Sequence, residues 1–153
     1  METQHRVEIS PETVRTGMKL GPIFYTVSSE QICAFAQSLG LKDVAYGASA
    51  AEPQIAPPGM RLMDYSLLIA AHFTGGSGGV HAKQWCEFHQ PLRAGQTLKT
   101  SGQIVRTWNK RGKFYFELEY ETRDASSDEL LMRQAITSVL LRNGAMTAQA
   151  PGK

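Results

Sequence analysis

The chain has 153 residues, 42% of them hydrophobic, which is enough for one ordinary core and short of two. With 16 basic and 14 acidic residues the formal net charge is +2, far below the charge density that a phosphate backbone demands, so nucleic acid is not an expected partner. Cys33 and Cys86 lack the close paired spacing of zinc or redox motifs, which reads as free buried thiols in a reducing compartment with no metal. The opening Met-Glu-Thr-Gln-His-Arg carries charge where a signal peptide needs an apolar stretch, and no run approaches the roughly 20 apolar residues that cross a bilayer. A cytoplasmic protein without membrane contact is expected.

Residues 1–21 carry Pro11, Gly17 and Gly21 and read as a lead-in with at most one short strand or turn. A first strand is expected at about 22–27. Ser28 then has the pattern of an N-cap: Gln31 holds the capping-box position, and Val27 and Ile32 flank the cap as a hydrophobic staple. Ile32, Phe35, Ala36 and Leu39 follow at helical spacing, and Gly40 closes the helix as a C′ residue. From Leu41 to Pro58 periodicity vanishes while Gly47, Pro53, Pro57 and Pro58 accumulate, which marks a long loop, and long loops in compact domains often carry function. The stretch from Gly59 to Phe73 is apolar on nearly every side apart from Arg61, Asp64 and Ser66, the pattern of a long buried helix.

The glycine run after Thr74 has no Gly-Lys-Ser/Thr ending and no helix behind it, so it is an exit turn and not a phosphate loop. Strands are expected over 80–90 and 97–108, with a hairpin loop at 109–112. Phe114, Phe116, Leu118 and Tyr120 alternate with Tyr115, Glu117, Glu119 and Glu121, the period of a strand with one wet face. A more apolar strand over 130–142 closes the domain, which spans 1–143, and 144–153 reads as a loose tail. The basic and aromatic residues from Trp108 to Phe116 superficially suggest nucleic-acid recognition. With the cations at a hairpin tip and the aromatics alternating into a core, their structural use outweighs it.

Strand, helix, loop, apolar helix and four consecutive antiparallel strands are all satisfied if one curved sheet wraps around the apolar helix. That is an α+β, hot-dog architecture. Within it, Val80 to Leu98, with Phe88-His89-Gln90-Pro91 and Gly95-Gln96-Thr97-Leu98, closely resembles the strand and turn of MaoC-like dehydratases, including those related to fungal fatty-acid synthase dehydratase domains. The Lys110-Arg111-Gly112-Lys113 hairpin, the Phe35-Ala36 helix ending at Gly40, and Ile55-Ala56-Pro57-Pro58 follow the family's order, so the resemblance covers about residues 20–142.

The resemblance implies a lyase that reversibly adds water to a 2-enoyl thioester, an acyl-CoA or acyl-carrier substrate, with no cofactor. It also implies a homodimer, or a heterodimer with a second hot-dog subunit, with the thioester entering along the interface. Such chemistry must activate water beside Cβ and stabilise the charge that grows on the thioester oxygen. In the family an Asp and a His in the loop after the first helix handle the water, while backbone N–H groups at the start of the central helix hold the oxygen. Pro58, Gly59 and Met60 occupy the second of these places and form the expected thioester pocket. At the first, Asp43 is present but Ala48 stands five residues on, where the His would be. The resemblance therefore points to a subunit that shapes the pocket while a partner brings the Asp/His pair, or to altered chemistry. A non-catalytic acyl-thioester binding protein and a hot-dog thioesterase are the alternatives.

Asp43 is a candidate acid, although an Asp after Gly-Leu-Lys is ordinarily a solvated turn residue. Tyr46 could offer its phenol to an oxygen or serve as a loop anchor. His81, just after the glycine run, is a proton-transfer candidate because an imidazole titrates near neutral pH; otherwise it is a polar strand-start residue. Asp64 invites a thioesterase role as a helix-borne carboxylate, against the plainer reading of an ion pair with Arg61 three residues earlier. His89 is expected on the sheet face away from the core, and His72 as a cationic cap at a helix C-terminus.

Overall fold

The computed structural model of the chain describes residues 6–42, 44–47, 54–75 and 79–141. The expectations for Asp43, Ala48 and the tail over 144–153 fall outside these. The elements are β1 (Val7–Glu8), β2 (Lys19–Thr26), α1 (Ser29–Ser38), a 3-10 turn at Val44–Tyr46, α2 (Tyr65–His72), β3 (Phe73–Thr74), β4 (Val80–Phe88), β5 (Thr97–Lys110), β6 (Lys113–Asp124) and β7 (Leu130–Leu140).

Helix α1 forms where its end signals place it. The Ser28 hydroxyl accepts from the Gln31 N–H at 3.2 Å and the Gln31 side chain accepts from the Ser28 N–H at 3.1 Å, the reciprocal capping box. At the other end Leu41 N donates to Ala36 O and Gly40 N to Gln37 O, a Schellman motif that needs the left-handed φ of +68° that Gly40 adopts. The buried face carries Ile32 and Ala36, and Ile32 packs in one cluster with Val27 and Leu98.

Five strands make one antiparallel sheet in the spatial order β2, β5, β6, β7, β4. Chain order and spatial order differ: β4 runs antiparallel to β7 and does not pair with β5, so β2 and β4 are the edges. The β5–β6 hairpin turns on two residues, Arg111 and Gly112, both at positive φ, with Lys110 opposite Lys113. The expected four-residue loop is therefore shorter. Phe114 and Phe116 enter the core. Trp108 and Tyr115 stack on one another at 5.2 Å, with Tyr115 on the face that alternates with the inward Phe114 and Phe116. The lead-in supplies β1, which pairs in parallel with β3, and buries Val14 in the main core.

The long apolar helix is the principal correction. Only Tyr65–His72 is α-helical, and the residues before it form successive i→i+3 turns: Met60 N to Pro57 O, Leu62 N to Gly59 O, Asp64 N to Arg61 O. The sheet explains why. Gln84 Nε2 donates to Leu62 O at 2.7 Å, Tyr120 Oη donates to the same oxygen at 3.2 Å, and Gln134 Nε2 reaches Arg61 O at 3.5 Å. Carbonyls that a helix would use internally are taken by side chains of β4, β6 and β7. Gly59, at φ +92°, adds a left-handed residue that disrupts a helix start. Nor is α2 buried all round. Leu68 is fully buried against Leu20, Ile104, Phe116 and Leu118, whereas Leu67 is 45% exposed and Met63, in the turns just before the helix, 57%.

Candidate active site

A cavity of about 350 Å³ opens beside the turns that precede α2. Three segments form its wall. Tyr46 comes from the 3-10 turn, residues 55–61 from the proline-rich stretch, and residues 88–92 from the end of β4 onward, with Met132 closing it from β7. Backbone bonds stitch these segments together: Ile55 N to Ala45 O, Ala56 N to Leu92 O and Ala94 N to Gln54 O. The buried Gln54 side chain donates to Tyr46 O at 2.6 Å, which fixes the 3-10 turn that presents the phenol. Proline at 57 and 58 keeps the strand-like segment from entering a helix early, so its side chains line a space instead of filling it.

The structure thus brings together Tyr46, Pro58, Gly59 and Met60, four of the residues expected from the sequence. Met60 N–H donates to Pro57 O at 3.2 Å, so this amide is engaged within its own turn. His89 also lines the cavity, contrary to the strand-alternation argument, because β4 ends at Phe88 and the alternation stops with it. Its backbone N–H bonds Leu131 O, and its Nε2 lies 3.4 Å from Glu87.

Arg61 is the permanently charged residue among the described residues of the cavity wall. Its Nη2 lies 2.8 Å from Asp64 Oδ1, its Nε donates to Oδ2 at 3.2 Å, and its Cζ sits 4.0 Å over the Tyr25 ring. Tyr25 in turn donates its hydroxyl to Asp64 and shares a bond with Thr100, which is linked to Thr122. Burial, with Asp64 alongside, pushes the Tyr25 phenol up to about 12. Burial also raises the Asp64 carboxyl, against the opposing pull of the Tyr25 hydrogen bond and the Arg61 charge. Burial alone would lower the Arg61 guanidinium, and the neighbouring carboxylate turns that shift upward. The i,i+3 ion pair expected from the sequence is present. At 3% exposure, with both oxygens committed, Asp64 is no open-facing nucleophile.

His81 lies elsewhere, in a groove of about 580 Å³ between α2 and β4. Its Nδ1 is 3.0 Å from the Tyr65 hydroxyl and its Nε2 3.1 Å from Lys83 O. A carbonyl can only accept, so Nε2 donates to Lys83 O. His72 is not a cationic cap. Its Nε2 accepts the Gly21 N–H at 2.7 Å, which requires a bare nitrogen, and burial lowers its pKa. Cys33 and Cys86 are free and half-buried.

The sequence signature described as the FAS1-like, dehydratase domain region matches residues 15–119. The chain belongs to this dehydratase family. No curated protein sequence matches it. Among solved structures, this dehydratase-family domain is similar to the C-terminally truncated HadBC (3R-hydroxyacyl-ACP dehydratase) complex of Mycobacterium tuberculosis, with 20% identity and a TM-score of 0.72 over 84% of this chain and 98% of that one. It is also similar to the MaoC-like dehydratase of Rhodospirillum rubrum, at 15% identity and TM-score 0.66 over 88% and 97%. The (R)-hydratase of A. caviae involved in PHA biosynthesis gives 15% and 0.66 over 83% and 97%. These likenesses establish the hot-dog fold for the dehydratase-family domain.

Sequence reasoning missed Tyr25 and the cavity-facing placement of Arg61 and His89. Tyr25 is 39 residues from Asp64, and nothing local in β2 announces that partnership. Arg61 was visible as a charge in an apolar run, and that anomaly was the available signal.

Proposed function

We propose that this chain is the pocket-forming subunit of a hydratase or dehydratase that reversibly adds water to a 2-enoyl thioester, an acyl-CoA in the simplest case. The observation that carries the reading is the cavity in a dehydratase-family domain: its walls are mainly apolar, as an acyl chain requires, and no carboxylate is among the described residues that line it. Hydration needs a base for water and an acid for Cα. A second hot-dog subunit with an intact Asp/His pair supplies both in this reading. Tyr46 and the Pro58–Gly59–Met60 turn would shape the site, with Asp43 as a candidate for auxiliary proton transfer, whereas His81 lines a different groove.

Two further features suit such a partner. β4 is an edge strand with one ladder open, and it exposes Val80, Trp85 and Phe88 along its length. Met63 and Leu67 extend the apolar surface near α2. The similar HadBC structure is itself described as a complex.

The test is to follow consumption of a 2-enoyl-CoA by the purified chain alone and after mixing with a hot-dog subunit that carries the Asp/His pair. Turnover confined to the mixture, with a shift to a heteromer on gel filtration, is the expected result. Full turnover by the chain alone removes the partner but keeps the reaction. No water addition with any such subunit overturns the reading, and release of free thiol would mark a thioesterase instead.

A further inference from the structure

The two backbone amides expected to hold the thioester oxygen do not open a helix here, because α2 begins at Tyr65 and Met60 N–H is engaged by Pro57 O. The same turn carries a different donor. Resting on the acyl-thioester reading above, we infer that the Arg61 guanidinium is the group that binds the thioester carbonyl oxygen and stabilises the enolate formed from it.

Three observations support this. Arg61 lines the cavity directly beside Gly59 and Met60, and its side chain is 16% exposed while its counter-ion Asp64 is almost wholly buried. The bidentate pairing uses the Nε–Nη2 edge of the planar fork, so the two N–H groups of Nη1 lie on the other side of it. The guanidinium is also held still, clamped by Asp64 and stacked over Tyr25, which is braced by Thr100. A fixed donor in a largely apolar wall needs no reorganisation as charge develops, and this is what makes such groups effective.

In the hydration direction, the water oxygen bonds Cβ as the base removes one of its protons. The Cα=Cβ pair shifts to form Cα=C1, and the C1=O pair moves onto oxygen. Arg61 holds that oxyanion until the pair returns and Cα takes a proton from the acid, so the net change is addition of one water. Asp64 and Tyr25 are positioning residues here and touch no reacting atom.

The test compares octanoyl-CoA with S-octyl-CoA, the thioether of equal chain length that lacks the carbonyl, by titration calorimetry on the full chain with its partner subunit if one is required. A hydrogen bond to a charged donor predicts about tenfold tighter binding of the thioester. Arg61→Met combined with Asp64→Asn removes both charges together, which avoids leaving a buried carboxylate alone, and should abolish the preference. Arg61→Lys, which keeps charge without the fork, should retain part of it. In the turnover assay the double variant should lower kcat by about 100-fold or more and raise KM by up to about tenfold, the ground-state share of the same contact. Equal binding of the two ligands by the wild-type chain overturns the assignment of Arg61 and leaves the proposed function standing. Binding of neither overturns both.

Discussion

Asp64→Asn probes the buried cluster beneath the cavity. The carboxylate receives the Tyr25 hydroxyl on Oδ2 and Arg61 on both oxygens, at 2.8 and 3.2 Å. Asparagine keeps one acceptor and turns an NH₂ toward a guanidinium or a phenol, so Arg61 loses its counter-ion where water barely reaches. Removing one partner of a buried ion pair costs about 3–5 kcal/mol. Because Arg61 retains some access through the cavity, the lower end applies, about 3 kcal/mol. For a chain of this size each kcal/mol shifts the melting temperature by about 2–4 °C, so a drop of about 6–12 °C is expected. Tyr25→Phe should cost about 1.5–3 kcal/mol, the range for a hydrogen bond to a charged group. The double variant should lose less than the sum, because the two share a partner. Thermal melting at fixed protomer concentration is the assay. A fall of less than about 3 °C for Asp64→Asn would show that the cluster is not holding the turn.

Leu68→Ala removes the fully buried side chain that α2 places against the sheet, and should cost about 3 kcal/mol in urea unfolding. Gly102→Ala places a Cβ 2.5 Å from Glu119 O and 2.7 Å from Tyr120 Cβ in the centre of the sheet; a cost of about 2–3 kcal/mol is expected, and a neutral variant would mean that β5 and β6 pack less closely. His72 predicts a pH dependence. Its folded pKa lies below the ordinary 6.5, so the unfolded chain binds the extra proton, and the contribution is complete above 6.5 and lost as pH falls through the folded value. Melting between about pH 8 and pH 5 should show wild type losing stability relative to His72→Gln, whose carbonyl still accepts from Gly21. A constant difference would contradict the neutral-histidine geometry.

The legible parts of the fold are those whose causes are local. The Ser28–Gln31 box and Gly40 fixed both ends of α1, and the Phe114–Tyr120 alternation identified β6 and its inward face. Pairing of β4 with β7 was not legible, because its register joins residues such as Trp85 and Ala135 that are far apart in sequence. The start of α2 failed for the same reason: the donors that pull Leu62 O out of a helix are Gln84 and Tyr120. At the site, the proline-glycine run marked the cavity wall and the Arg61–Asp64 spacing marked the ion pair. His89 was misplaced because period-2 reasoning was carried one residue past the end of its strand.

The spatial order of the sheet also bears on how the chain is made. Both edge strands precede the three that they flank, so β4, with Trp85 and Phe88, has no ladder to join until β7 has been synthesised. At about 5–20 residues per second, the roughly 60 residues from Val80 to Leu140 take about 3–12 s to emerge from the ribosome. Throughout that interval the backbone of β4 has no ladder, and the cavity wall lacks Met132, which β7 supplies. Slowing translation after β4 should therefore lower soluble yield, whereas chaperone binding at Val80–Phe88 should restore it.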